Sequence, residues 1–391
     1  MRKSTARFKK LFYPEMLGIY IAVYGIVSFI VCRTLSLKFQ NIGCSFLSLF
    51  LWCIFSLLIS FGALFKKVLG KRINLSGNNE KILIVLSLSI VSMLFFIQLI
   101  SVTKNIFLAV MLAFLAFLIP YTVFAIVENY LLSFIAGICM VLFSFFIFGI
   151  PLIEGTHLEL YRNLNPLFLA GFGIALISAI LLFPRRKFCF FVLAVLAIIS
   201  TYRAFFACVV LCYLALYFFV KNRKTADTKY LPALLIVLFG VIAFLGMIIV
   251  KTSYSSWKLG TIETCTYRMA FTFSTFERVV NASLPFGYTL FASLSQSIPG
   301  KLICKIAYNC DSNINAGFFG IIVMDLGIFA GVIAFLIGIF SRYLFEKNKK
   351  FYSLYFATTL SFLDIGISIY YFLIATHICL LGAVLKNEGS S

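Results

Sequence analysis

The side chains that could do chemistry in this sequence are three arginines and one aspartate in the second half of the chain. Arg203 lies inside an apolar run. The others belong to the long polar segment 251–315 and are Arg268, Arg278 and Asp311. A guanidinium is permanently charged and binds phosphate oxygens through paired hydrogen bonds. A carboxylate can orient a substrate hydroxyl or accept its proton. The set favours chemistry on a phosphate-bearing substrate, with Asp311 as the candidate base.

Each of these side chains also has a purely structural interpretation, which the sequence leaves open. Arg203 could reach the lipid headgroups or pair with a nearby carboxylate. Arg268 and Arg278 could be solvated residues that bind headgroups, and Asp311 could cap the helix that follows it. Because an arginine inside an apolar run is costly unless it has a role, Arg203 is the strongest single candidate.

Other acidic and histidine side chains are weaker candidates. Asp325 and Asp364 lie inside apolar runs, and we interpret both as buried, hydrogen-bonded acids rather than as catalysts. A metal cluster could form from Glu154, His157 and Glu159. Short acidic loops are common, however, and the chain has no Asp-x-Asp motif. We therefore predict no metal ion and no cofactor.

The composition indicates a membrane protein. Of the 391 residues, 62% are hydrophobic and 12% are charged, against about 25% charged residues in a typical soluble domain. Continuous apolar runs about as long as a bilayer is thick favour helical spans over a barrel. The net charge of +20 comes largely from basic residues beside these runs, which indicates topology and not nucleic-acid binding. We predict an all-α, polytopic integral membrane protein with a single membrane domain, 1–391.

The apolar run 188–220 decides which side the later segments face. As one helix it would be about 50 Å long, against about 30 Å of hydrocarbon, with Arg203 near its middle. A reversal at Thr201 to Arg203 makes it a split helix pair with Arg203 at the outer turn. The next span, 231–250, then delivers 251–315 to the outside as a large loop.

The last apolar run, 352–385, is also too long for one crossing. We predict a break in it near Asp364 and Gly366, which gives about twelve spans in all. Two of the earlier spans are predicted at 82–102 and 106–127.

The loop 251–315 has two features of its own. The pattern from 266 to 280 predicts a helix lying on the membrane surface, on which Arg268 and Arg278 are about 80 to 100° apart and could face one groove. Cys304 and Cys310 could form a disulfide in an oxidising compartment or remain free thiols.

The order of these features resembles that of a known family. The arginine at the helix-pair turn lies in STYRAF, 200–205, and one further span leads to the arginine-bearing loop. The loop then contains LPFGY at 284–288, and DSNINAGFFG at 311–320 leads into a glycine-rich helix. This arrangement is similar to that of bacterial O-antigen polymerases of the Wzy type and, more distantly, to that of O-antigen ligases.

The resemblance implies a metal-independent glycosyltransferase of GT-C-like architecture, with its large loop on the periplasmic side of a bacterial inner membrane. It would transfer a growing glycan from undecaprenyl pyrophosphate onto an incoming lipid-linked O-antigen repeat unit. By position, the pyrophosphates would be bound by Arg203, Arg268 and Arg278. The catalytic residues would be Asp311, Arg203 and Arg268. The implied partners are the undecaprenyl-pyrophosphate-linked oligosaccharide, the lipid bilayer and a chain-length regulator protein.

The sequence also bears on the alternatives. The polymerases are described with a longer arginine-to-glycine spacing than the interval from Arg278 to Gly287. The ligases carry a histidine late in the loop, and 251–315 contains none, which favours a polymerase. A lipid-linked oligosaccharide flippase or another transporter would carry its charges within spans. A receptor or channel subunit would leave Arg203 unexplained.

Overall fold

The computed structural model of this chain describes residues 9–36, 42–72, 107, 129–154, 166–220, 259–289, 299–367 and 369–384. Within these residues every regular element is helical and no strand occurs, so the predicted all-α class is confirmed there. The predicted spans at 82–102 and 231–250, and nearly all of the one at 106–127, lie outside the described residues.

The helices are numbered in chain order: α1 (Pro14–Ser36), α2 (Phe46–Arg72), α3 (Tyr130–Phe148), α4 (Pro151–Glu154), α5 (Pro166–Leu182), α6 (Phe188–Ile199), α7 (Arg203–Val220), α8 (Thr261–Ser283), α9 (Pro299–Tyr308), α10 (Gly317–Leu326), α11 (Ala330–Lys347), α12 (Lys349–Ser361) and α13 (Ile369–Val384). In the described part, four helical stretches are long and apolar enough to cross a membrane: α1, α2, α3 and the run Gly317–Lys347. Further, shorter apolar helices are found in α5, α6 and α7. The protein is therefore a multi-pass membrane protein, and its count of twelve spans stays a prediction.

The chain folds as two compact units. One comprises residues 1–11 and 120–266, and the other comprises 12–119 and 267–391. In the first unit, α3 packs against α5 and α6 packs against α7. Gly137 permits the first contact, because a Cβ there would lie 2.6 Å from a backbone oxygen of α5.

The apolar run 188–220 of the first unit is broken where its length and charge predict. The break separates α6 from α7, which begins at Arg203. Thr201, between them, has a φ of 58°, a conformation uncommon outside glycine. The Tyr202 ring stacks on Phe168 of α5, with ring centres 5.8 Å apart. The chain therefore reverses at this point and returns alongside itself.

The core of the second unit is built around Trp52 of α2, which is 1% exposed. Its indole N–H donates to the Ile21 carbonyl of α1 at 2.8 Å. Its ring meets Phe273 and Phe276 of α8 and Phe319 of α10, with centres 5.9, 5.0 and 5.2 Å away. The predicted loop helix is therefore confirmed as α8. Its apolar face packs against other helices, and its position at the membrane surface stays a prediction.

Contacts at the two ends of the second unit join segments that the predicted topology places on the same side of the membrane; the sidedness itself stays a prediction. Between α1 and α2, the Gly43 N–H donates to the Ser274 hydroxyl of α8 at 3.1 Å. At the start of α1, Glu15 pairs with Arg342 of α11 at 3.1 Å. The topology predicted from sequence puts both members of the first pair outside and both members of the second pair inside.

The run Gly317–Lys347 is interrupted at Gly327, which has a φ of 56°. The turn that follows α8 docks at this interruption. Pro285 accepts a hydrogen bond from the Ile328 N–H at 3.0 Å, and the Tyr288 N–H donates to the Met324 carbonyl at 2.8 Å. The turn after α8 thus replaces backbone bonds that the interrupted helix cannot make for itself.

The last apolar run is also broken as predicted. It forms α12 and α13, which pack against each other. Asp364 and Gly366 lie in the turn between these helices, which brings an acidic side chain to the end of the unit where α10 begins.

Candidate functional site

The helix α8 carries two of the predicted arginines, Arg268 and Arg278, and begins where the sequence supplies a cap. The Gly260 N–H donates to the Glu263 carboxylate at 3.0 Å, and a negative charge in the first turn suits the positive end of the helix dipole. Because its phenylalanines enter the core, the helix presents its two arginines from a fixed backbone.

The Arg268 guanidinium is almost buried and pairs with Asp364, which lies 96 residues further along the chain. Nη2 and Nε donate to the same oxygen, Oδ2, at 3.1 and 3.3 Å. The Thr272 hydroxyl, one helical turn after Arg268, donates to Oδ1 at 3.0 Å. The side chains of Arg268 and Asp364 are 9% and 26% exposed. A charge so nearly removed from water needs such a partner. We call Arg268, Thr272 and Asp364 the Arg268 cluster.

The turn that carries Asp364 is fixed against the start of α10. The Ile367 N–H donates to the Phe318 carbonyl at 2.9 Å. Gly366 has a φ of 99°, and a Cβ there would lie 2.7 Å from the Gly317 carbonyl oxygen. Backbone contacts therefore place the Asp364 carboxylate independently of its partners on α8.

Arg278 has different surroundings from Arg268. Its Nη1 donates to the Ala307 carbonyl at 3.0 Å, and its guanidinium lies 4.3 Å from the centre of the Tyr308 ring, which is a cation–π contact. The Tyr308 hydroxyl is 3.1 Å from the Thr275 hydroxyl. Arg278 thus joins α8 to the C-terminal end of α9.

A row of aromatic rings runs beside Arg278. Tyr267 stacks on Phe271, with centres 6.3 Å apart, and Phe271 stacks on Tyr308 at 5.5 Å. Burial, with a smaller contribution from Tyr308, raises the pKa of the Tyr267 phenol. The hydroxyl of Tyr267 therefore stays protonated at neutral pH and acts as a neutral polar group.

Cys304 and Cys310 are joined by a disulfide, with their Cα atoms 5.2 Å apart. Directly after it, the Asp311 side chain is 89% exposed and pairs with Lys301 at 3.9 Å, an arrangement that contributes little to stability. The N-cap of α10 is Ala316, so the alternative in which Asp311 caps that helix is wrong. The described contacts of Asp311 do not bring it to the Arg268 cluster.

Arg203, the fourth predicted site residue, is the first residue of α7 in the first unit. Its side chain lies outside the described part, and its pairing with the loop arginines stays a prediction. For the metal alternative, Glu154 ends α4, whereas His157 and Glu159 lie outside the described residues. Among those described, no group of three or more His, Cys, Asp or Glu side chains is placed to hold a metal ion.

The sequence predicts Arg268 as a site residue but does not predict its partners. Asp325 is confirmed as a buried, hydrogen-bonded acid, because it is 4% exposed and accepts a hydrogen bond from the Thr289 hydroxyl. Asp364 is hydrogen-bonded as predicted, but its side chain is 26% exposed, so the expectation that it is buried is wrong. What the sequence does not indicate is that Asp364 meets a loop arginine. The available signal was an acidic residue at a predicted break between spans, because a chain reversal brings such a residue to the end of the helical unit.

Fold and site together define an all-α, multi-pass membrane protein whose helix α8 holds a paired, nearly buried arginine. Residues 44–370 match the family described as "Putative O-antigen polymerase". The chain belongs to this family, and the resemblance seen in the sequence is confirmed.

A curated relative is the "Uncharacterized protein MJ0420" of Methanocaldococcus jannaschii. It is 26% identical over 245 residues, which cover 62% of this chain and 61% of the relative. The chain thus matches about three fifths of that relative's length. No solved structure matches the chain at a significant level.

Proposed function

We propose that this protein polymerises undecaprenyl-pyrophosphate-linked O-antigen repeat units at the periplasmic face of a bacterial inner membrane. In this proposal it is a single GT-C-like membrane domain of about twelve spans, with loop 251–315 in the periplasm. The observation that carries the proposal is the Arg268 cluster, a fixed guanidinium on the loop helix of an O-antigen polymerase family member. The proposed partners are the lipid-linked oligosaccharide, the bilayer and a chain-length regulator protein.

The chemistry asks little of the protein beyond charge and orientation. A hydroxyl of the incoming unit attacks the anomeric carbon of the growing glycan, and the bond from that carbon to the pyrophosphate oxygen breaks. Undecaprenyl pyrophosphate leaves with the bonding electron pair, and the hydroxyl proton passes to a base. Guanidinium groups stabilise the charge that develops on the leaving group, and alignment of the two lipid-linked substrates supplies much of the rest. No metal ion or cofactor is needed for this scheme.

The residues take the following proposed roles. Arg268 binds pyrophosphate from a fixed position, Arg278 binds it from beside the Tyr308 ring, and Arg203 contributes from the helix-pair turn. Asp311 is the proposed base, and its high exposure leaves it accessible to an acceptor sugar.

The test replaces Arg203, Arg268 and Arg278 singly with alanine in cells that lack the chromosomal copy, and examines lipopolysaccharide on a gel. We expect single-unit chains on the lipid core in place of the ladder. Lys305→Ala, an exposed basic residue of α9, is the matched control and should keep the ladder.

The same gel separates the alternatives. Loss of a flippase or of a ligase leaves no O-antigen on the core at all, whereas loss of a polymerase leaves one unit. Normal ladders in all three arginine variants would contradict the proposed site. A gel without any O-antigen on the core would contradict the polymerase proposal and favour a flippase or a ligase.

A further inference from the structure

The Arg268 cluster contains a carboxylate whose part in the reaction is not yet assigned. We infer that Asp364, assisted by Thr272, is a positioning residue that fixes the Arg268 guanidinium toward the pyrophosphate of the lipid carrier. The inference rests on the proposed function and extends it to a residue that lies far outside loop 251–315.

The geometry of the ion pair fixes the orientation of the Arg268 guanidinium. Nε and Nη2 both bind Oδ2 of Asp364, at 3.3 and 3.1 Å, so the edge of the planar group that faces the carboxylate is fixed. A long arginine side chain otherwise samples many rotamers, and a fork held in place loses less entropy when it binds an anion.

The carboxylate is itself held from two sides. Thr272, which shares α8 with Arg268, binds Oδ1 at 3.0 Å. The turn that carries Asp364 is anchored to α10 through the Ile367–Phe318 bond at 2.9 Å and the close approach of Gly366. A positioning group needs this kind of rigid support.

A second interpretation of the same contacts is that Asp364 occupies the place of a substrate phosphate and is displaced on binding. The backbone anchors argue against it, because a displaced group needs a segment that can withdraw. The two interpretations predict opposite effects when the charge of Asp364 is removed. Positioning predicts weaker use of the substrate, whereas displacement predicts tighter binding.

The experiment measures polymerisation by the purified full-length protein in lipid nanodiscs. The probe is an undecaprenyl-pyrophosphate-linked repeat unit isolated from polymerase-deficient cells. For each variant, kcat and KM per folded protein are measured together with the melting temperature. The variants are Asp364→Asn, which removes the charge at constant size, Asp364→Glu, which keeps it, and Thr272→Val, which removes one hydrogen bond. The matched control is Glu15→Gln, which weakens the Glu15–Arg342 pair. The N–O distance of that pair, 3.1 Å, equals that of the Arg268–Asp364 pair.

For Asp364→Asn we expect kcat/KM to fall about 10- to 100-fold, with a rise in KM, because a misplaced binding group costs this much. Asp364→Glu should recover part of the loss. Thr272→Val should lower kcat/KM about threefold to tenfold. If Asp364→Asn folds poorly, this second variant still tests the inference. Glu15→Gln should lower the melting temperature and leave KM unchanged.

Several results would overturn the inference. A KM for Asp364→Asn equal to or below that of the wild type would do so, as would equal changes of KM in Asp364→Asn and Glu15→Gln. If the wild type polymerises and Arg268→Ala matches it, the inference fails while the proposed function stands. If the wild type does not polymerise the probe, the proposed function fails and the inference falls with it.

Discussion

Two arginine–carboxylate pairs of the second unit have similar geometry and different surroundings. The Arg268–Asp364 and Arg342–Glu15 contacts are both 3.1 Å long, and the two arginine side chains are 9% and 12% exposed. Arg342 also binds Glu346 at 2.6 Å, and Glu15 also faces Lys67 at 3.7 Å. The Arg342 pair is therefore part of a network that joins α1, α2 and α11.

Burial and distance are nearly the same in the two pairs, so these two quantities do not by themselves assign a binding role to Arg268. The Arg342 network links the ends of helices at the predicted inner face, where basic residues are expected from topology. Arg268 lies instead on α8, within the predicted loop, and its acid lies in a turn between two other helices. A charged group placed by a loop and a turn is in the position where binding sites commonly occur.

The largest difference is expected when each arginine is replaced with lysine, which keeps the charge and loses the planar fork. Arg268→Lys should reduce polymerisation about tenfold or more, because two hydrogen bonds to a fixed carboxylate and the orientation they impose are lost. Arg342→Lys should leave activity per folded molecule unchanged. Ladder length on a gel and protein abundance by immunoblotting measure the two effects. Equal activities in the two variants would remove the distinction between the pairs.

A smaller difference is expected at the aromatic rings beneath the arginines. Arg278 lies 4.3 Å from the centre of Tyr308, and Arg342 lies 5.4 Å from that of Phe345. Tyr308→Leu should lower kcat/KM about two- to fivefold, in line with a cation–π contact of about 0.5–1 kcal/mol, and Tyr308→Phe should retain most activity. Phe345→Leu should affect the melting temperature alone. Loss of activity in Tyr308→Phe would show that the hydroxyl of Tyr308, and not its ring, is responsible for the effect.

The smallest effect is expected for Lys67→Ala in the Arg342 network. The Lys67 side chain is 47% exposed, and exposed ion pairs contribute about 0–1 kcal/mol. The melting temperature should fall by no more than a few degrees, and polymerisation should be unchanged. A thermal shift assay checks this, and a change in KM would show that the inner network is coupled to the reaction.

The breaks at Thr201 and near Asp364 could be predicted from sequence because they follow from bilayer thickness, which is a property of single segments. The helix α8 could also be predicted, because the periodicity of its apolar residues is likewise a property of a single segment. The surroundings of α8 could not, since the burial of its apolar face depends on Trp52, more than two hundred residues earlier in the chain.

The candidate site also has features that could be predicted from single segments and features that could not. Residue type identified Arg268 and Arg278 as candidates, whereas the pairing with Asp364 depends on two distant segments meeting in the fold. The prediction of Asp311 as the base depends on its nearness in sequence to the predicted re-entry into the membrane. An irregular stretch separates it from α10, and the residue is therefore exposed.

The docking of the turn after α8 at Gly327 determines how this protein can be recombined with its relatives. Pro285 and Tyr288 are hydrogen-bonded to the interrupted run. Residues 284–289 and 324–328 therefore have to be exchanged together, although the first segment belongs to the predicted loop and the second to a predicted span. A chimera that takes only the loop from a relative would pair the turn of one protein with the interrupted helix of the other. The exchanged segment should therefore extend beyond Ile328.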